Sequence, residues 1–270
     1  ECTDGKNNTV ESDFVNGTLH IHCHYQERSL SFPKEMWDNL LENVYNLSSH
    51  SNIDTINITS CHVMDEGIKN LLSQSWARKV TTLYISNYVS ETITFPGELL
   101  HGLPQLRNLT LNNNLEEILK ISFKRQSFMP LLDLVYLDLS SNNITTLDAD
   151  VFQDLSNLQY LNLDSNQIRE LPVTGLLSNL KSLNYFSMKR NKLTRVPINT
   201  FEAARNLTYL NFGNNKLDNL PENIFSTTKY LQEIYLNNNQ LFTLPKTIFW
   251  ELRDLNSLHL EENRLRSIDK

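Results

Sequence analysis

A short pattern of apolar residues recurs six times at nearly constant spacing, and it constrains the fold more than any other feature of the chain. The first clear copy is Leu134-x-x-Leu137-x-Leu139-x-x-Asn142-x-Ile144. Intervals of 24 or 25 residues separate the asparagines that fill the same slot in all six copies: Asn142, Asn166, Asn191, Asn215, Asn239 and Asn263. A fixed period of this length indicates a solenoid, in which copies of one small unit stack on each other.

Three weaker copies precede these six and begin at Ile53, Val80 and Leu106, with longer intervals of 27, 26 and 28 residues up to Leu134. Cys61 and Tyr88 occupy the asparagine slot in the first two. The pattern is that of a leucine-rich repeat, and it predicts an α/β solenoid, or horseshoe, with a parallel concave sheet. We expect an N-terminal cap and lead-in over residues 1–50 and about nine repeats over 51–270, truncated at the C-terminus without a C-terminal cap.

The pattern also predicts what fills the solenoid. Apolar residues that alternate with polar ones form a short strand with leucines inside and polar groups outside. The slot asparagine is interpreted as structural, since its amide can satisfy backbone groups of adjacent turns. A second apolar series follows each strand and predicts a spine of stacked rings under the opposite wall, formed by Phe152, Phe201, Phe225 and Phe249. Gly175-Leu176-Leu177 interrupts this series.

The N-terminal segment does not repeat. Asp4-Gly5 and Asn16-Gly17 are turn signals, and Cys2 and Cys23 bracket the segment, so we predict a hairpin cap closed by a Cys2–Cys23 disulfide. Cys61 is then expected to be a buried free thiol, although three cysteines permit three pairs. Helical spacing predicts two short helices, one with Met36, Trp37, Leu40 and Val44 and one with Ile68, Leu71, Leu72 and Trp76.

Charge and sequons indicate the compartment. The chain carries 24 Lys+Arg against 31 Asp+Glu, and this acidic balance argues against a nucleic-acid partner. No apolar run is long enough to span a bilayer. Asn-x-Ser/Thr glycosylation sequons favour an extracellular location, and seven of them occur: Asn7, Asn16, Asn46, Asn57, Asn108, Asn143 and Asn206.

Catalytic chemistry has little support in the sequence. His20, His22 and His24 alternate on one strand, which is compatible either with a zinc site or with a polar outer face. We favour the polar face, because neighbouring side chains on one strand splay apart and a fourth ligand is missing. The sequence shows no phosphate loop, nucleophile elbow or metalloprotease motif. We therefore expect neither an enzyme nor a cofactor.

The concave surface is the candidate binding site. Tyr136, Tyr160, Tyr185 and Tyr209 occupy one position in four successive repeats and form a column, which serves either as an interface anchor or as a cover for the sheet edge. Sugars on Asn57 and Asn108 would occlude the start of this face. The predicted contact residues are Tyr84, Arg107, Tyr136, Asp138, Tyr160, Asn162, Asp164, Tyr185, Lys189, Tyr209, Asn211 and Tyr235.

The irregular first third resembles the N-terminal ectodomain of insect Toll receptors. The resemblance lies in Leu19-His20-Ile21-His22-Cys23, in the stretch from Ile53 to Cys61, and in Asn114-Leu115-Glu116-Glu117-Ile118, where acidic residues displace an aliphatic one. The insertion between Leu119 and Leu132 departs from the regular pattern, and the extra cap cysteines upstream are absent.

The resemblance implies a single-pass cell-membrane receptor whose transmembrane and signalling parts lie outside this chain. It implies a Spätzle-like ligand, a cystine-knot dimer that engages the concave side of the N-terminal repeats and promotes receptor dimerisation in immune and developmental signalling. Two alternatives remain: an adhesion or matrix leucine-rich-repeat protein, and a protein that recognises microbial patterns directly.

Overall fold

One short strand per repeat joins a continuous sheet that follows the order of the chain. The structure, a computed structural model, describes residues 2–3, 9–24, 34–48, 52–61, 66–88, 95–112, 122–173 and 175–266. Within these residues a single sheet contains twelve strands. They are β1 (Cys2–Thr3), β2 (Thr9–Val15), β3 (Thr18–His24), β4 (Thr55–Thr59), β5 (Thr82–Ser86), β6 (Asn108–Asn112), β7 (Tyr136–Asp138), β8 (Tyr160–Asn162), β9 (Tyr185–Ser187), β10 (Tyr209–Asn211), β11 (Glu233–Tyr235) and β12 (Ser257–His259).

Strands β3 to β12 pair in parallel, and equivalent residues of successive repeats lie side by side. Leu137 is paired with Leu161, which is paired with Phe186, and none of the three side chains reaches solvent. The flanking strand residues point outward and are partly exposed. Because every turn buries one wall against its neighbours, the core is continuous along the solenoid. The predicted parallel-sheet solenoid is confirmed.

The cap begins with the predicted hairpin. Asn16 and Gly17 both adopt left-handed backbone angles, with φ of 50° and 84°, and connect β2 to the antiparallel β3. Such a pair of positive φ angles is what a two-residue hairpin turn needs. Strand β3 then pairs in parallel with β4 and covers the core of the first repeat. The other turn signal, Asp4-Gly5, lies outside the described residues.

The predicted Cys2–Cys23 disulfide is wrong, because Cys23 is bonded to Cys61, with 5.0 Å between the two Cα atoms. Cys2 and Cys23 both pair with Val10 of β2, from opposite sides. The two cysteines are therefore two strand spacings apart, about 9–10 Å, whereas a disulfide requires Cα atoms within about 7 Å. Cys61 is not a free thiol. Cys61 fills the asparagine slot of the first repeat. A side chain in this slot points toward the preceding strand, and for the first repeat the preceding strand is β3.

Short helices line the wall opposite the early strands. The helices are α1 (Lys34–Ser48), α2 (Glu66–Leu72) and α3 (Arg125–Phe128), with 3-10 turns at Trp76–Lys79 and Gly97–Leu100. The spacing of apolar residues predicted α1 and α2, and their inward residues are buried. Trp76, which the prediction placed in the second helix, lies instead in the first 3-10 turn. In the part of the chain that is described, no helix has both the length and the apolar character needed to cross a bilayer.

The slot asparagines form the predicted ladder of amide hydrogen bonds. In Asn191, Nδ2 donates to the carbonyl oxygen of Leu163 at 2.9 Å, and Oδ1 accepts from the backbone N–H of Ile168 at 3.0 Å. The same arrangement holds around Asn166, Asn215, Asn239 and Asn263. Tyr88 joins the ladder from its own slot, since its hydroxyl donates to Oδ1 of Asn142 at 2.6 Å.

The phenylalanine spine is also present, and it extends further than predicted. Phe201, Phe225 and Phe249 follow one another with 6.1 Å between ring centroids. In the irregular repeats the spine continues from Phe152 through three further buried rings, Phe128, Phe123 and Phe95. Leu176 and Leu177 replace a ring where the spine is interrupted. The insertion before Leu132 therefore contributes core rings.

Candidate binding surface on the concave sheet

A strip of stacked aromatic rings runs across the middle of the concave sheet. Tyr136, Tyr160, Tyr185 and Tyr209 are paired in register on β7 to β10. Their ring centroids are 4.2, 4.1 and 4.3 Å apart, with interplanar angles of 11°, 12° and 6°. These distances are shorter than the strand spacing of about 4.8 Å, so the rings lean against each other. We call these four residues the tyrosine strip.

The strip exposes mainly ring edges and hydroxyl groups, because the ring faces between neighbouring strands cover each other. All four side chains are half-buried. Burial and the hydroxyls of Tyr185 and Tyr136 raise the pKa of Tyr160, and burial raises the pKa of Tyr185 to about 12. These two hydroxyls therefore stay protonated at neutral pH. The four hydroxyls of the strip present hydrogen-bonding groups in a row. Stacking also fixes the rotamers of the rings, so little side-chain entropy is lost when a partner binds.

The strip continues diagonally into the next column of the sheet. Tyr209 contacts Tyr235 at 5.4 Å, and Tyr235 stacks on His259 at 4.4 Å with an angle of 4°. Tyr235 pairs with Asn211 and lies two residues further along its strand than Tyr209 does. Its hydroxyl donates to Oε2 of Glu233 at 2.9 Å. Sequence analysis missed His259 and Glu233; aligning the strand positions of all repeats would have indicated both.

Several other predicted contact residues have structural roles where strands end. Asp138 and Asn162 each accept a hydrogen bond from the backbone N–H two residues later, at 2.8 and 3.0 Å. Asp164 accepts from the hydroxyl of Ser187 and from the backbone N–H of Lys189. Burial raises the pKa of Asp164 in spite of these hydrogen bonds. Asn211 accepts from the backbone N–H of Gly213 and donates to the Tyr209 hydroxyl. These polar groups fix the strand ends beside the strip.

Tyr84 and Arg107 lie apart from the strip. Tyr84 is exposed on β5, in the column of Asn57 and Thr110. Arg107 is exposed at the edge where β6 begins, and its carbonyl accepts hydrogen bonds from the residues that start β7. The structure thus brings the tyrosines of β7 to β11 together but leaves these two outside the group.

The sequons fall on different surfaces. Asn57 and Asn108 lie half-buried in the sheet on the cap side of the strip, and their amides contact neighbouring strands. Asn16, Asn46 and Asn206 are exposed away from the concave face, and Asn143 is half-buried in the turn after β7. Asn7 lies outside the described residues. Glycosylation of these sites remains a prediction.

The histidines of the cap occupy the outer face of β3, next to the acidic residues of β2. The rings of His22 and His24 are 4.2 Å apart, and His24 is 3.9 Å from Glu11. Burial, and secondly the charge of His24, lowers the pKa of His22, against the opposing effect of Glu11. Among the described residues, no group of three or more His, Cys, Asp or Glu side chains is placed to hold a metal ion. The buried residues of β3 are Leu19, Ile21 and Cys23, which agrees with a polar outer face.

Sequence comparisons identify the repeat. A model described as "Leucine rich repeat" matches residues 121–168 and 205–265, and a second model of that description matches 157–180. Lumican from Bos taurus is 31% identical over 138 residues, which cover 50% of this chain and 35% of lumican. The chain thus spans about a third of the length of this relative.

Solved structures with the same architecture include two receptor complexes. The TLR13–ssRNA13 complex matches with a TM-score of 0.70 at 24% identity, over 90% of this chain and 32% of that one. The Toll–Spatzle complex from Drosophila matches with a TM-score of 0.50 at 18% identity, over 91% of this chain and 43% of that one. At these identities the structures establish the shared fold. The chain is a leucine-rich-repeat solenoid that structurally resembles Toll and Toll-like receptors.

Proposed function

We propose that this chain is the ligand-binding part of a Toll-type receptor outside the cell. We propose further that its concave face binds a Spätzle-like cystine-knot dimer. The observation that carries the proposal is the tyrosine strip, a preorganised aromatic surface on the wall that leucine-rich-repeat proteins leave open. Large aromatic side chains that are ordered before binding are the typical anchors of protein–protein interfaces.

The shape of the strip favours a protein ligand. Stacking covers the ring faces, so a sugar or a nucleobase finds few faces to stack on. The exposed edges and hydroxyls form a straight row about three strand spacings long, which suits the edge of an extended protein segment. The acceptor groups of Glu233 and the imidazole of His259 close one end of the row.

Two other features support this assignment. The Cys23–Cys61 disulfide belongs in an oxidising compartment, as the sequons do. The resemblance of the irregular first third to Toll ectodomains concerns the cap and early repeats, which periodic leucine patterns alone would not specify. If Asn57 and Asn108 carry sugars, they shield β4 to β6 and direct a ligand to β7 to β12.

Surface-immobilised binding of a processed Spätzle-type dimer tests the proposal. We expect saturable binding to the native chain, weakened about tenfold or more in Tyr160→Ala/Tyr185→Ala because two central anchors are lost. The matched control is Phe242→Ala/Trp250→Ala, which removes two exposed aromatic side chains outside the strip and should leave the affinity unchanged. Binding that both variants retain would place the ligand elsewhere, and no binding to the folded native chain would contradict the receptor assignment.

The second candidate is an adhesion or matrix protein, and the similarity to lumican favours it. That role uses the same open sheet but a different partner, such as another cell-surface protein or a collagen fibril. Binding to collagen in the absence of any response to the cytokine dimer would select it. Binding of isolated microbial glycans or lipids would instead select direct pattern recognition.

A further inference from the structure

Four basic residues occupy one position in successive repeats along the edge where the strands begin. They are Lys181, Arg205, Lys229 and Arg253, at intervals of 24 residues, and each lies two residues before the leucine that opens its repeat. All four side chains are exposed. The same position holds Leu132 and Ser156 in the two preceding repeats, so the basic row begins abruptly at Lys181. We call this row the basic flank.

Hydrogen bonds between adjacent turns fix the backbone of the flank. Nδ2 of Asn206 donates to the carbonyl oxygen of Lys181 at 2.9 Å, which holds the turn that carries Arg205 against the turn that carries Lys181. Ser182 makes the equivalent contact to the carbonyl of Ser156 at 3.0 Å. The cations therefore project from a stiff edge in a line, with a repeat close to the strand spacing of about 4.8 Å.

Two open grooves lie along this line and share Arg205. The first, of about 790 Å³, is lined by Lys181 and Arg205 and lies where Gly175-Leu176-Leu177 interrupts the phenylalanine spine. The second, of about 670 Å³, is lined by Arg205, Lys229 and Arg253 together with Glu251 and Asp254. The hydroxyls of Ser178, Thr200 and Thr227 already donate to backbone carbonyls, and Ser226 adds a further hydroxyl to the second groove.

The cations of the flank are largely uncommitted. Within the described residues, Lys229 pairs with Glu251 at 3.2 Å, both side chains being more than half exposed, whereas Lys181, Arg205 and Arg253 form no salt bridge. Exposed pairs of this kind are weak and exchange readily. The charge is also local: residues 155–270 have 14 basic and 11 acidic side chains, against 10 and 20 in residues 1–154.

We propose that the basic flank binds a sulfated polysaccharide, lying along the edge of the solenoid from Lys181 to Arg253. Regularly spaced arginine and lysine side chains match the repeating anionic groups of such a chain, and arginine binds oxyanions through paired hydrogen bonds. A single-stranded nucleic acid is the less suitable polyanion. Its binding sites offer successive aromatic faces for base stacking, and Tyr230 is the one aromatic residue that lines the two grooves among the described residues.

The test measures binding of the 270-residue chain to immobilised heparin over a series of salt concentrations. The variant K181Q/R205Q/K229Q/R253Q removes the flank, and the matched control R169Q/R190Q/K192Q/K216Q removes four cations from the opposite edge. We expect native binding that weakens with salt, a loss of about tenfold or more in the flank variant with a shallower salt dependence, and a loss of less than about twofold in the control. Circular dichroism verifies that each variant is folded.

A single charge reversal, Arg205→Glu, tests the shared residue of the two grooves and should weaken heparin binding more than Arg190→Glu does. Equal losses in the flank variant and in the control, or native binding that neither variant changes, would overturn the proposal. Binding to single-stranded RNA without binding to heparin would overturn the choice of partner. The variant Tyr160→Ala/Tyr185→Ala should leave heparin binding unchanged, so the test of the basic flank is independent of the test of the concave face.

Discussion

At the scale of single residues, the slot asparagine stabilises the fold by satisfying groups that the sheet cannot reach. After each strand the chain turns through a residue with positive φ, such as Ser165 or Arg190, and the parallel ladder ends there. The buried backbone groups of that turn would lack partners without the amide of Asn166 or Asn191. A buried polar group without a hydrogen-bond partner lowers the stability of the fold. Because the slot amide bonds to backbone groups of two repeats, a substitution at one slot destabilises both.

We therefore predict that Asn191→Ala lowers the free energy of unfolding by about 1–3 kcal/mol, since it leaves the N–H of Ile168 unpaired and removes one of the two amide donors to the carbonyl of Leu163. Urea denaturation followed by circular dichroism measures this change. Asn199→Ala, in an exposed turn, is the control and should alter stability by less than about 0.5 kcal/mol. An unchanged denaturation midpoint for Asn191→Ala would refute the structural role of the slot.

The disulfide is a second effect at this scale. Cys23 and Cys61 close a segment with a sequence separation of 38, so their bond restricts the unfolded chain. Cys23→Ala/Cys61→Ala should lower stability by about 2–4 kcal/mol, whereas Cys2→Ala should preserve the crosslink. Peptide mapping without reduction identifies the bonded pair, and recovery of a Cys2–Cys23 peptide would contradict the structure.

At the scale of elements, the tyrosine strip couples strands β7 to β10 through contacts outside the backbone ladder. The rings lean toward each other, so that the distance between their centroids is shorter than the spacing of the strands that carry them. Partial burial disfavours the phenolate form, which is why the pKa values of Tyr160 and Tyr185 are raised.

This shift makes stability dependent on pH in the alkaline range. Above the ordinary tyrosine pKa of 10.0 the unfolded chain ionises, while folded Tyr185 retains its proton up to about 12. Stability from these hydroxyls is thus complete below pH 10 and declines as the pH rises through this window. We expect the urea midpoint of the native chain to fall more steeply there than that of Tyr160→Phe/Tyr185→Phe. Parallel declines would show that the strip does not titrate as described.

At the scale of the whole molecule, the solenoid has one core, and the phenylalanine spine connects its irregular first half with its regular second half. Phe95, Phe123 and Phe128 continue the series of Phe152 although their repeats differ in length. Where the spine is interrupted, Leu176 and Leu177 are buried in place of a ring, and Phe186 and Phe212 contact Phe201 from the strand side. The buried core therefore runs through both halves.

Phe201 contacts rings both in the spine and on the strand side, so shortening its side chain should strongly lower the stability of the fold. We predict that Phe201→Ala lowers the free energy of unfolding by about 3–5 kcal/mol, and that Phe201→Leu costs about 1 kcal/mol because leucines already serve this role at Leu176 and Leu177. Denaturation of both variants beside exposed Phe242→Ala provides the measurement. Equal effects of the two Phe201 substitutions would argue against a packed spine.

The sequence by itself determined everything that depends on one period of the repeat. The asparagine ladder, the inward leucines and the column of Tyr136 to Tyr209 follow directly, because equivalent residues of stacked repeats must lie side by side. The hairpin at Asn16-Gly17 and helix α1 were also predictable, since both are set by local backbone preferences and spacing.

Only the tertiary structure decided the contacts between elements that are not related by the sequence repeat. Cys2 cannot bond to Cys23, because β2 separates β1 from β3, whereas the slot that Cys61 fills faces the cap. The diagonal continuation of the strip from Tyr209 to Tyr235 and His259 depends on how far the rings lean. The first of the two grooves depends on the missing ring at Gly175, where the spine is interrupted near Arg205. These features arise from packing, and packing is decided by shape in three dimensions.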